Sequence, residues 1–312
     1  MLAPWLVAGL LVTMSSAFAD DWSQYNRTRQ AVRSFNFDVT YVQVKPNQIT
    51  TYRWLHGVHQ PGGALAVPVE LERLSLQDGI GTDMFRRGDR VYYAAPDAPV
   101  IATKNSDIPE LPAILFMDGD RLADLYDVVA GSQVPLSGRT AQLLRLSAKD
   151  HNRYSYWLWQ DAETGFPLRI DTVSSNNDVL DRWMVVHMQI KPGLPTELQS
   201  LLSAQLPDDI QQIELAKQPA SNFKLSWLPD GYRVLDNQLD ISTRAMPLLA
   251  HWLLSDGLHQ ISVFVQPSAG LPTQLNRDGA NTILVSSRDN LDVVVIGPIA
   301  PDLAQQLASA VE

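Results

Sequence analysis

The chain has 312 residues, 45% of them hydrophobic, no cysteine, and a formal net charge of −10. That length and apolar content allow one to three domains with ordinary cores, and the missing cysteines exclude a disulfide-stapled scaffold. The acidic balance argues against a nucleic-acid partner, whose phosphates need a basic surface, and against adhesion to anionic lipid head groups by charge alone.

Residues Leu2 to Leu11 are apolar and uncharged, and Ala17-Phe18-Ala19 offers the small-x-small pattern that a signal peptidase accepts before Asp20. The run is shorter than the roughly 20 apolar residues of a spanning helix and stops at Asp20 and Asp21. Residues 1–19 therefore read as a cleavable secretory signal. The mature chain is expected to begin at Asp20, in the periplasm, with no later segment long or apolar enough to span a bilayer.

A large domain is expected over residues 20–202. Trp22, Tyr25, Val32 and Phe35 share one helical face over Asp21 to Phe35, with Asp20 or Asp21 as N-cap. Phe35, Phe37, Val39 and Tyr41 then alternate with polar residues, the period of a half-buried strand. Tyr52-Arg53-Trp54 and Val67 to Glu72 alternate likewise, and Gly88-Asp89 is a turn between Met84-Phe85 and Val91-Tyr92-Tyr93. One helix is expected to interrupt them, capped by Asp120, with Leu122, Leu125, Tyr126 and Val129 on one face and Gly131 as terminator. Strands resume over 141–146, 154–160, 166–171 and 179–190, joined by tight turns, and together read as a meandering antiparallel sheet. Thr196 and Gln199 form a capping-box pattern ahead of the stripe Leu198, Leu201, Leu202 and Leu206.

Residues 203–222, rich in Gln, Asp, Pro and Ala, read as a linker with one short helical stretch. A smaller α+β domain over 223–312 follows. Phe223, Leu225 and Trp227 alternate before the turn Pro229-Asp230-Gly231. Asp256-Gly257 and Asp289-Asn290 each sit between two apolar runs as hairpin turns, and Pro301 opens a last helix with Leu303, Leu307 and Val311 on one face.

No sequence motif for catalysis is present: there is no Gly-x-Ser-x-Gly elbow, Walker loop, dinucleotide-binding Gly-x-Gly-x-x-Gly or His-Glu-x-x-His. His56 and His59 could pair on a helix to hold a metal, but Gly57, Gly62 and Gly63 make a loop edge the simpler reading. Asp118-Gly119-Asp120 is too short for a calcium loop, and Asp120 already serves as a helix cap. No catalytic residue, cofactor or metal is assigned. The remaining unusual feature is aromatic: Tyr156, Trp157, Trp159, Phe166 and Trp183, with Trp54, Tyr92 and Tyr93 earlier, supply apolar side chains to both faces of the strand series. Two arrangements satisfy that pattern. One face can line a lipid- or peptide-sized pocket; or one face packs on Trp22 and Tyr25 while the second domain covers the other, which is the simpler.

The stretches Arg153-Tyr154-Ser155-Tyr156, Trp159-Gln160-Asp161 and Glu163 to Asp171 resemble the RseB/MucB family of periplasmic sigma-factor regulators. Trp227 to Tyr232, Ser255-Asp256-Gly257, Ile261 to Val265, and Val295-Ile296-Gly297 with Pro301 are similar to that family's smaller domain, in the same order. The resemblance implies an α+β fold, with a large LolA/LolB-like half-open antiparallel β-barrel holding helices in its concave side and a linked smaller domain. It implies a binding protein, not an enzyme, that shields the periplasmic segment of a membrane-spanning anti-sigma factor from proteolysis until lipopolysaccharide or mislocalised lipoprotein relieves it. A periplasmic lipid or lipoprotein carrier is the alternative. For the partner surface, the hairpin bearing Trp252, Leu254 and Phe264 offers strand pairing or apolar contact, and adjacent Arg86 and Arg87 offer a phosphate or carboxylate contact. Core packing and solvated surface are the respective alternatives, and self-association is left open.

Overall fold

A computed structural model describes residues 14–62, 67–207, 222–235, 248–270 and 272–312, with the backbone alone over 14–20. The first helix, α1 (Met14–Ser34), buries Tyr25 and Val32 completely and packs Trp22 on the same core, joined by Phe35 just beyond its end. It begins upstream of its expected start. The helix runs through the expected cap, so Asp20 and Asp21 lie within it.

Six strands follow: β1 (Asn36–Lys45), β2 (Gln48–His59), β3 (Val69–Leu76), β4 (Asp83–Arg87), β5 (Arg90–Ala94) and β6 (Ile101–Lys104). After a 3-10 turn at Ala113–Leu115 and the short helix α2 (Gly119–Ala123) come β7 (Tyr126–Leu136), β8 (Arg139–Ala148), β9 (Ser155–Asp161), β10 (Pro167–Val173), β11 (Val179–Lys191) and helix α3 (Thr196–Ser203). These strands form one sheet in the order β6-β5-β4-β3-β2-β1-β11-β10-β9-β8-β7. It is therefore two meanders joined where β1 pairs antiparallel with β11. Helix α1 rests on β2 and also on β7 and β8 at the far side, so the sheet curls around it while β6 and β7 remain its two open edges. This is the expected half-open antiparallel barrel. The segment 105–125 spans from one edge to the other across the concave side, sinking Ile108, Leu111, Ile114, Leu115 and Leu122 into the core.

The helix expected over 120–131 is mostly strand. Helix α2 has five residues, is capped by Asp118 rather than Asp120, and gives way at Tyr126. Tyr126 and Val128 point inward while Asp127 and Val129 are exposed, so the period is two, and adjacent Val128 and Val129 favour extended backbone. Gly131 ends no helix; it lies beside the irregularity between Ala130 and Gln133, and a Cβ there would press on Leu143. The capping box at Thr196 does not form. Pro195 is the N-cap and has no side-chain oxygen to accept a backbone N–H, while Gln199 donates to the Leu194 carbonyl instead. His56 and His59 lie in β2, not on a loop edge, and three residues apart on a strand they face opposite ways.

The second sheet runs β12-β13-β14-β17-β16-β15, from β12 (Arg233–Val234), β13 (Ala250–Ser255), β14 (Gln260–Pro267), β15 (Gln274–Asp278), β16 (Asn281–Arg288) and β17 (Leu291–Gly297). Both expected hairpins are present, with Gly257 and Asp289 at positive φ in their turns. Helix α4 (Pro301–Ser309) lays Leu303 and Leu307 on this sheet. Phe223 to Trp227 is not a full strand: Leu225 alone bridges Val311, which ties the start of this unit to its C-terminal end. The linker expected over 203–222 falls largely at 208–221, outside the described residues, together with its short helix. Among the described residues no helix is long and apolar enough to cross a membrane.

Candidate functional site: the cleft between the sheets

Arg153, in the turn between β8 and β9, has a wholly buried side chain. Its Nε donates to Asp256 Oδ2 at 2.8 Å, its Nη2 to the Asp230 carbonyl at 2.7 Å, and its Nη1 pairs with Asp150. The guanidinium also lies 5.0 Å from the Tyr232 ring centroid. One cation of the large sheet thus holds two turns of the small one. Asp256 also accepts the backbone N–H groups of Leu258 and His259, at 2.9 and 2.7 Å, which fixes the shape of its hairpin turn. Burial works to raise the Asp256 pKa, but hydrogen bonds and charge from His259, together with Arg153, outweigh it and hold the carboxyl well below the usual range.

His259 stands between this carboxylate and the large sheet. Its Nδ1 is 3.4 Å from Asp256 Oδ2 and its Nε2 is 2.5 Å from the Tyr156 hydroxyl. A proton on Nδ1, drawn by the carboxylate, leaves Nε2 to accept from Tyr156. A second contact lies across the cleft. Asp181 of β11 accepts the Ala280 N–H at 3.0 Å, Lys45 Nζ is 2.9 Å from Asp278, and burial raises the Asp181 pKa. The approach there is close enough to require glycine: at Gly279, with φ +62°, a Cβ would stand 1.7 Å from Asp181 Oδ1.

Between the two contacts is a cavity of about 280 Å³ lined by Tyr156, Ile170, Trp183, Leu111, Ile114 and Leu258, with Gln43, Glu110, Asp181 and Arg182 at its rim. A wider, more polar groove of about 610 Å³ runs along the other side of segment 105–118, where Arg29, Arg33 and Arg121 meet Asp107, Ser255 and Gly257.

Of the eight aromatic residues expected to line a pocket, Tyr156 and Trp183 line this cleft. Trp54 and Phe166 are core: Phe37 meets Trp54 edge-on at 4.7 Å and Phe166 at 4.9 Å, and the Trp54 indole donates to Glu72 at 3.2 Å. Tyr93 packs on the same core, whereas Tyr92 stacks on Phe85 at 5.3 Å on the convex side. Trp157 and Trp159 also belong to the convex side, in a satellite cluster with Val134, Leu136 and Leu168. There the guanidinium groups of Arg145 and Arg169 lie over Trp157 and Trp159, at 5.7 and 4.3 Å. The simpler packing has the second domain covering that face; among the described residues the cover is the β7–β8 hairpin and the stacked arginines.

The arginine pair is neither solvated nor a surface anion site. Arg86 is 3% exposed and pairs with Glu70 and Glu72 of its own chain, while Arg87 donates to the Leu201 and Ala204 carbonyls at the end of α3. Leu254 is small-unit core, Trp252 packs on that core half-buried, and Phe264 stacks on His251 at 4.5 Å. Strand pairing at this hairpin is restricted, because β14 has neighbours on both sides and β12 takes the outer edge of β13 at Leu254 and Ser255. Arg153, Asp181, Asp256, Leu258 and His259 went unassigned from sequence. The available signal was Leu258, an apolar residue in a turn otherwise made of Asp, Gly and His.

An open sheet curled on one helix, with a small α+β unit pinned across its concave mouth, defines the class: a two-part β-rich binding scaffold. The chain belongs to the MucB/RseB family, whose N-terminal domain model matches residues 21–218 and whose C-terminal domain model matches residues 217–312. It is 26% identical to the sigma-E factor regulatory protein RseB of Salmonella typhimurium over 98% of this chain and 96% of that one. It is 25% identical to the sigma factor AlgU regulatory protein MucB of Pseudomonas aeruginosa, over 98% and 95%. The fold is that of MucB crystallised in complex with MucA(peri), with a TM-score of 0.67 at 22% identity over 94% of this chain and 98% of that one.

Proposed function

We propose that this chain, exported through residues 1–19 and working in the periplasm, is a negative regulator of an envelope-stress sigma factor. It binds the periplasmic segment of a membrane-spanning anti-sigma factor and shields that segment from proteolysis, and lipopolysaccharide or lipoprotein acyl chains relieve the shielding. The observation that carries this reading is the pair of family models spanning residues 21–312 without a gap, since a regulator of this family uses both units while a lipid carrier needs only the large one. Relatives named as sigma-factor regulators match nearly end to end, and MucB has been crystallised with MucA(peri), which supports a polypeptide partner. The cleft between the sheets joins apolar walls to a polar rim, as a ligand site does.

The shielding and the relief need ligands with different affinities for two conformations of the chain. The test is a pull-down from envelope extract with the mature chain and with a form ending before residue 222. Recovery of a single-pass anti-sigma factor by the complete mature chain, and its loss when lipid A is added, are expected. Transfer of lipid between vesicles with no protein partner would favour the carrier instead.

A further inference from the structure

Hairpin turns are ordinarily polar and solvated. The turn joining β13 to β14 is not: Leu258 is 8% exposed and belongs to the core of the large sheet, across the interface from its own unit. At Gly257 the backbone presses so close that a Cβ would lie 3.0 Å from Met117 Cε and 2.9 Å from Arg121 Nη2, and φ there is +94°. The polar residues on either side of Leu258 are all matched to the large sheet, Asp256 by Arg153 and His259 by Tyr156. Leu258 is also a wall of the 280 Å³ cavity that Ile170 and Trp183 close from the other end. With the turn seated, that cavity stands at the floor of the roughly 300–1,000 Å³ range of sites that enclose a sizeable ligand.

We propose that the Asp256–His259 turn is an autoinhibitory plug in the concave face of the large sheet, with Leu258 as its tip and the Arg153–Asp256 ion pair as its latch. An apolar chain such as the acyl chain of a lipid fills the cavity only when the plug withdraws, and withdrawal moves the small unit. The plug thereby couples occupancy of the large sheet to the position of the small one. This deepens the proposed stress-sensing role and rests on it for its biological meaning. The observed affinity for such a chain is the intrinsic affinity reduced by the fraction of molecules with the plug out.

The test uses the mature chain and a fluorescent twelve-carbon fatty acid as probe. Asp256→Asn leaves the tip intact and weakens the latch, and is expected to tighten probe binding about five- to ten-fold by raising the open fraction. The chain has no cysteine, so Lys45→Cys with Asp278→Cys, placed at the other contact and not among the cavity's lining residues, allows the units to be tethered by a reducible crosslinker. Tethering is expected to weaken probe binding at least ten-fold, and reduction to restore it. Unchanged affinity in both the latch variant and the tethered protein overturns the plug, as does failure of every form to bind the probe. Neither failure touches capture of the anti-sigma segment, which is measured without lipid. Should Asp256→Asn fail to fold, the tether alone decides the matter.

Discussion

Arg86 uses every nitrogen of its guanidinium: Nε donates to Glu72 at 2.6 Å, Nη1 to the Gly88 carbonyl at 2.8 Å, and Nη2 pairs with Glu70. Glu72 is 1% exposed and also accepts the Trp54 indole N–H, so removing the arginine strands a buried carboxylate. Arg86→Ala is expected to cost about 3–5 kcal/mol in urea unfolding, whereas Arg87→Ala, which frees only the last carbonyls of α3, should cost about 1 kcal/mol. The sequence presented these two as a basic pair because adjacency hides the strand period: neighbours on β4 point to opposite faces, one into the core and one toward α3. His251 provides the pH-dependent case. Burial lowers its pKa to about 4, against about 6.5 in an unfolded chain. Between those values the unfolded state binds more protons, so the contribution is complete above pH 6.5 and is lost as pH falls toward 4. His251→Phe should remove a stability loss of about 2 kcal/mol at pH 5 relative to pH 7.5, read as the difference between the two proteins' denaturation curves.

At the scale of elements, the strands were legible because their exposed and buried residues alternate cleanly. Phe37, Val39 and Tyr41 on β1, and Ile261, Val263 and Val265 on β14, are all buried at every second position. Four strands were not: β6 and β12, of four and two residues, are too short to show a period, and β7 and β15 failed for other reasons. The start of β7 imitates a helix because Leu122, Leu125, Tyr126 and Val129 fall at helical spacing by coincidence, and only pairing with β8 decides between the two. Strand β15 escaped notice since all five of its residues are exposed, leaving no apolar signal at all. Helix α4 was readable, and its function is packing: Leu307 is fully buried among the strands of the small sheet. Leu307→Ala is expected to cost about 2–5 kcal/mol and to lower the melting of the small unit, leaving the large unit's transition in place, as followed by calorimetry.

For the whole molecule, the aromatic residues that looked like one pocket divide among three environments: the core, the convex face and the cleft. Composition and alternation place an aromatic residue on a strand but cannot say which side of a curled sheet it takes, because that depends on how β1 meets β11 some 150 residues away in sequence. The interface residues were hidden for the same reason. Arg153 and Asp256 are 103 positions apart, and neither has a neighbour in sequence that hints at the other. The resemblance to the MucB/RseB family reached further than periodicity did, since it carried both units in order before any contact between them was known. The central claim, that both units together hold the periplasmic segment of an anti-sigma factor and protect it, is tested most directly by limited proteolysis of that segment with and without an equimolar amount of the mature chain. Protection that disappears when lipid A is added, or when only the large unit is supplied, is the result expected here. Cleavage at the same rate in the presence and absence of the mature chain would contradict it.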